Sequence, residues 1–174
     1  MESWFAMRDL TRPNALNPAY LRLGVAGFKV FTPMVWKVFG TTSHKHRRLV
    51  PAIHDLLFVR SERRRLDPVV ESIPTLQYRF VKGGTYCQAM TVPDSDMDRF
   101  IHAVEQSDEP RFFMPGEIRP EMIGRRVRII GGPLNGFEGN LLSIRGMRKR
   151  RLLVDIPDML TAAVEVHPDY IEFI

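Results

Sequence analysis

Apolar and polar positions in this chain fall into short runs, and a sustained helical period is rare. Residues 4–8 form an apolar, aromatic run that predicts a strand. Asn17 offers an N-cap and Pro18 a first helical residue, so a helix is expected from there toward Ala26. Gly27 closes it, because glycine takes the left-handed cap conformation without strain. Residues 28–32 predict a second strand stopped by Pro33, and residues 56–59 and 77–81 predict two more. Gly83-Gly84 is a tight turn, and Asp67-Pro68 opens a short helix through Val70. The clearest helical stripe begins at Pro93, where Met97, Phe100, Ile101 and Val104 share one face. Asp94, Asp96 and Asp98 crowd its first turn, where carboxylates complement the helix dipole.

Beyond that helix the texture changes. Ser107-Asp108-Glu109-Pro110, Pro115-Gly116 and Pro120 mark a linker. Short β-rich runs then follow at 127–130, 140–144, 152–156, 163–166 and 170–174. Five short strands in about 50 residues predict a small, strongly bent barrel. The fold class expected is α+β, with an amino-terminal domain over 1–106, a linker over 107–119 and a carboxy-terminal domain over 120–174.

Composition narrows the class. Apolar content of 44% and charged content of 26% belong to a folded chain. A net charge of +5 points to an anionic partner, either nucleic acid or an acidic protein face. The lone Cys87 excludes an internal disulfide and reads as a small buried hydrophobe. No signal peptide is recognisable, and no apolar run approaches the roughly 20 residues of a membrane span, so a cytoplasmic protein is expected. Catalytic chemistry has no foothold. His44, His46 and His54 lack the carboxylate or cysteine that would complete a metal site. Gly131-Gly132-Pro133 lacks the lysine and hydroxyl residue of a phosphate loop, and no nucleophile stands in an elbow. No enzyme activity, metal or cofactor is expected.

The sharpest motif runs from Gly124-Arg125-Arg126-Val127-Arg128-Ile129-Ile130 through Gly131-Gly132-Pro133-Leu134-Asn135-Gly136 to Phe137-Glu138-Gly139-Asn140-Leu141. It describes a strand, a glycine-rich turn and a second strand, with Phe137 placed to plug a tiny core. This pattern resembles the KOW motif of NusG proteins and several ribosomal proteins. The first half agrees with it: Trp4-Phe5-Ala6-Met7, Gly27 to Pro33, Val50 to Val59 and Val92 to Met97 resemble successive elements of the NusG amino-terminal (NGN) domain. The chain is therefore similar to NusG-like elongation and antitermination factors. It is closest in appearance to the specialised RfaH/UpxY-type branch associated with capsular polysaccharide loci of Bacteroides.

The resemblance implies an NGN α/β sandwich, an antiparallel sheet with flanking helices, followed by an SH3-like β-barrel KOW domain. It implies a monomer that binds the clamp helices of the RNA polymerase β′ subunit through an apolar groove and suppresses pausing or termination. By position, Ile53 and Leu56 take the places of the groove's key aromatic pair, with Phe5 and Phe31 as neighbours. The usual proline-glycine-tyrosine is here His54-Asp55-Leu56, so apolar area persists without stacking or hydroxyl contacts. Arg8, Arg12, Lys45, Arg47, Arg48, Arg63, Arg64 and Arg65 are the implied contacts to upstream or non-template DNA. On the KOW module, Arg148, Lys149, Arg150, Met159 and Leu160 are the partner contacts. Rho or a ribosomal protein is the partner implied, although the phenylalanine-glycine-arginine common in that loop is absent. The reading that competes is a KOW-containing RNA-binding or ribosome-associated structural protein.

Overall fold

The computed structural model describes residues 1–13 and 15–174. The fold is α+β: among the described residues, three α-helices accompany thirteen strands in three sheets, and every ladder is antiparallel. The chain divides into two compact units, Met1–Met97 and Asp98–Ile174. None of the described helices is long and apolar enough to cross a membrane.

The first unit is organised by β1 (Ser3–Asp9), which pairs with β5 (Leu56–Ser61), β6 (Leu76–Tyr78) and β7 (Thr91–Val92). β2 (Lys29–Phe31) adds to the free edge of β5. Both faces of the central strands are covered, so β1 reads as a continuous apolar run. Phe5, Met7, Leu57 and Val59 share one face with a core that includes Leu23, Leu66, Ile73 and Leu76. Trp4, Ala6, Leu56 and Phe58 alternate onto the other face and are buried too.

Local signals placed most of these elements, but tertiary contacts moved their ends. Helix α1 (Ala19–Val25) is entered through Pro18, not capped by Asn17. The buried carboxylate of Asp9 supplies the cap instead, accepting from Ala19 N at 2.8 Å and from Thr11 N at 2.9 Å. Gly27 follows the helix at φ 92°, as its role requires. Helix α2 (Arg63–Ser72) starts a turn before the expected Asp67-Pro68 opening and keeps Pro68 inside it. Leu66 is fully buried, and anchoring it against the core offsets the hydrogen bond that Pro68 cannot make. Cys87 is exposed, not buried, and has φ 55° in the turn after Gly83-Gly84.

The basic run over 40–48, which by sequence reads as a mobile loop or hairpin tip, forms the tip of a two-stranded ribbon and much of its second strand. β3 (Met34–Gly40) and β4 (Lys45–Pro51) pair over their full length as a separate sheet, leaving residues 41–44 as the tip.

Helix α3 (Asp94–Glu105) begins in the first unit and ends in the second, with Met97, Phe100 and Ala103 buried along its stripe. The second unit then holds β8 (Arg111–Phe113), β9 (Ile123–Ile129), β10 (Glu138–Leu142), β11 (Arg151–Ile156), β12 (Leu160–Glu165) and β13 (Ile171–Phe173). The last five correspond to the five expected runs, whereas β8 lies inside the segment read as a linker. The order is β13-β9-β10-β11-β12-β8, an open path and not the closed barrel expected. Short strands β13 and β8 occupy the two outer edges, so no ladder closes the ring. A register shift between Asn140 and Leu142 interrupts the β9–β10 ladder. In the glycine-rich turn, Leu134 is the buried residue and Phe137 only half-buried. Gly131 and Gly132 lie beneath the Tyr170 ring, where any Cβ would collide with it.

Candidate functional site

The first unit carries an open groove of about 570 Å³ between the ribbon and the segment entering α1. Leu56 and Leu57 line it from β5, Phe39 and Val50 from the ribbon, and Leu16 and Tyr20 from the α1 side. Arg12, Lys37, Arg48 and His54 add a cationic and polar lining. The ribbon's register explains this division. Cross-strand partners share a face, so Val35, Val50, Lys37, Arg48, Phe39 and His46 lie on one side. Trp36, Leu49, Val38 and Arg47 lie on the other, and of these Leu49 also reaches the groove lining.

Of the four residues expected in the groove, Leu56 lines it and Phe5, Phe31 and Ile53 do not. Phe5 is in the core, edge-on to Tyr78 with centroids 5.6 Å apart. β1 runs between β5 and β6, and helix packing covers the face that Phe5 occupies. Phe31 lines a different, shallower recess of about 350 Å³ beside α1 and tilts against Phe58. Ile53 is half-buried in the turn before β5 and does not line the groove. Leu56 lines it but is only 3% exposed, so it forms floor and not rim. Groove residues missed from sequence include Leu16, Tyr20, Lys37, Phe39, Val50 and Leu57. Residues 34–40 are apolar except for Lys37 and Gly40, so no polar alternation marks which face of this strand meets the groove.

The basic residues sort by their partners. Arg8 lies 3.6 Å from Asp55, which also faces Arg79 at 3.5 Å. Burial pulls the Arg79 guanidinium below its ordinary pKa, and Asp55 counters that. Arg60 is held between Asp94 and Glu2, and its hydrogen bond keeps the Asp94 carboxyl below the ordinary range. On α2, Arg63 pairs with Asp67 and Arg64 with Glu62, while Arg65 lies over the Phe28 ring. The ribbon differs. Lys45, Arg47 and Arg48 are exposed and have no ion-pair partner among the described residues. Arg47 lies 5.0 Å from the Trp36 ring centroid and Arg48 4.1 Å from that of Phe39. Arg12 and Arg48 meet at the groove, and the α2 arginines do not line it.

In the second unit, Arg148, Lys149 and Arg150 are exposed on the loop between β10 and β11. Met159 is half-buried beside Asp158, whose φ is 62°, in the turn between β11 and β12. Leu160 is 2% exposed and paired with Ile156, so it completes the core and is not a contact surface. No group of three or more histidine, cysteine or acidic side chains that could hold a metal occurs among the described residues. No protein-family model matches the chain, and no curated protein matches it at a significant level.

Proposed function

We propose that this protein is a NusG-type transcription elongation and antitermination factor that binds RNA polymerase through the groove of its first unit. On this reading the first unit is an NGN domain and the second a KOW module. The protein acts in the cytoplasm as a monomer, by binding alone. The observation that carries the reading is the groove itself, with Leu56 and Leu57 beneath, Phe39, Val50 and Leu16 beside, and Arg12, Lys37 and Arg48 around them. A trough with apolar walls and a cationic border suits an amphipathic helical hairpin, which the clamp helices of the β′ subunit supply. Burial of apolar side chains provides affinity, and the charged border selects orientation.

The mechanism is mechanical. Occupancy of the clamp favours the elongating over the paused polymerase only insofar as the factor binds the elongating state more tightly. Lys45, Arg47 and Arg48, exposed on the ribbon and without an ion-pair partner among the described residues, add salt-dependent contact to upstream or non-template DNA. Recruitment of Rho or a ribosomal protein by the second unit would use the exposed Arg148, Lys149 and Arg150 with half-buried Met159, since Leu160 is core.

Capture of the full-length protein by the isolated β′ clamp hairpin tests the reading. Leu56 is unsuitable for substitution because a charge there would disrupt the core. Leu16→Glu changes a fully exposed position, and Phe39→Ala a half-buried one. Each is expected to weaken capture about tenfold or more, as hot-spot positions do. Both should also shorten terminator readthrough in a transcription assay. Unchanged capture by both variants would remove the groove from the mechanism.

A further inference from the structure

We propose that the second unit carries a binding surface for single-stranded nucleic acid, built on the β10–β11 loop and the end of β13. Two adjoining clefts of about 530 and 360 Å³ flank that loop and share Ile144, Met147, Arg148 and Lys149. Arg125, Arg150 and Phe173 belong to the larger cleft, and Arg145 to the smaller. This inference is independent of the groove reading of the first unit.

The cations divide into two sets. Arg151 is buried and pinned: its guanidinium donates to Glu109 O at 2.6 Å, to Ala163 O at 3.3 Å and to Glu165 at 3.3 Å. Lys149 joins it on Glu165 at 3.2 Å. These two hold the base of the loop. Arg125, Arg145, Arg148 and Arg150 have no ion-pair partner among the described residues, and no acidic side chain lines the larger cleft. Like charges gathered without counterions repel one another, and a chain of phosphates relieves that repulsion while releasing its own counterions.

A second feature selects among polyanions. The Arg125 guanidinium lies 4.0 Å from the Phe173 ring centroid, and Phe173 is 45% exposed at the sheet edge. A planar cation and an aromatic ring beside a phosphate-binding cleft form a stacking platform for an unpaired base. A duplex keeps its bases stacked inside and offers only its backbone. An acidic peptide would satisfy the arginines and leave the platform unused. Single strands use both parts.

Fluorescence anisotropy of the full-length protein with labelled oligouridine and oligothymidine of about 12 nucleotides, within the known range of single-strand site sizes, tests this. Tight binding of either single strand supports the proposal, and the tighter of the two identifies the source. Arg125→Glu/Arg148→Glu/Arg150→Glu is expected to raise Kd about thirtyfold or more and to flatten the salt dependence by about 0.7 per lost phosphate contact. Phe173→Leu keeps apolar bulk and should raise Kd about fivefold or more with the salt slope unchanged. Lys45→Ala/Arg47→Ala on the ribbon controls for the first unit, and thermal melting controls for folding. The proposal is overturned if the folded charge-reversal variant binds within about twofold of the parent. It is equally overturned if the ribbon variant alone loses binding, or if an RNA duplex or an oligoglutamate binds as tightly as the single strands.

Discussion

The two units each contain a regular hairpin, and the pair shows that strand pairing and burial are separate achievements. β3–β4 and β11–β12 both satisfy their backbone groups along an unbroken register. In β11–β12, Leu152, Val154, Ala162 and Val164 are fully buried. In β3–β4, Trp36, Val38 and Leu49 are 52%, 60% and 48% exposed. An isolated two-stranded ribbon is marginal in water, so this one leans on cross-strand pairs and on Arg47 and Arg48 lying over Trp36 and Phe39. The buried hairpin is scaffold. The exposed one has two faces available for contact, one of them on the groove.

The largest effect expected from this contrast follows a core truncation. Leu152→Ala should lower the unfolding free energy by about 2–5 kcal/mol in urea, because a filled site becomes a cavity. Val38→Ala on the ribbon should stay within about 0.5 kcal/mol. Similar losses from the two would break the comparison. An intermediate, local effect is expected at Gly40, where φ is 101° and a Cβ would collide with the His44 carbonyl. Gly40→Ala should strip hydrogen-exchange protection from the amides of β4 while leaving global unfolding within about 0.5 kcal/mol. Loss of protection across β1 and β5 as well would mean that the ribbon is part of the scaffold. The smallest effect on stability, and the sharpest reading of exposure, comes from the two tryptophans. Trp4 is 1% exposed, so iodide quenching of the parent should come from Trp36. Trp36→Phe should abolish quenching and leave thermal unfolding unchanged.

Much of the fold was legible because its signals are local. Alternation, glycine-rich turns and the α3 stripe located β1, β5, α3 and all five late strands within a few residues. β8 escaped because three residues, Arg111–Phe113, between prolines carry no period, and only β12 gives them a partner. The ribbon was half legible: the basic run over 40–48 reads as a loop or hairpin tip, and a tip is present at 41–44, but the pairing of Lys45 to Pro51 with β3 carries no local signal. The candidate site was less legible than the fold. Ile53, Leu56, Phe5 and Phe31 are apolar, and sequence cannot separate an apolar side chain that walls a groove from one sealed in a core.

By itself, the sequence determined the α+β class, the change of texture between the two halves and the net positive charge, since each depends on neighbouring residues or on sums over them. The tertiary structure alone decided that Asp9 caps α1, that Leu56 is floor and Phe5 is core, and that Lys37 and Arg48 face the groove beside Arg12. It also decided which arginines already have carboxylates and which, on the ribbon and on the β10–β11 loop, have none among the described residues. Those outcomes depend on which residues meet across long separations, and that follows from packing, not from local pattern.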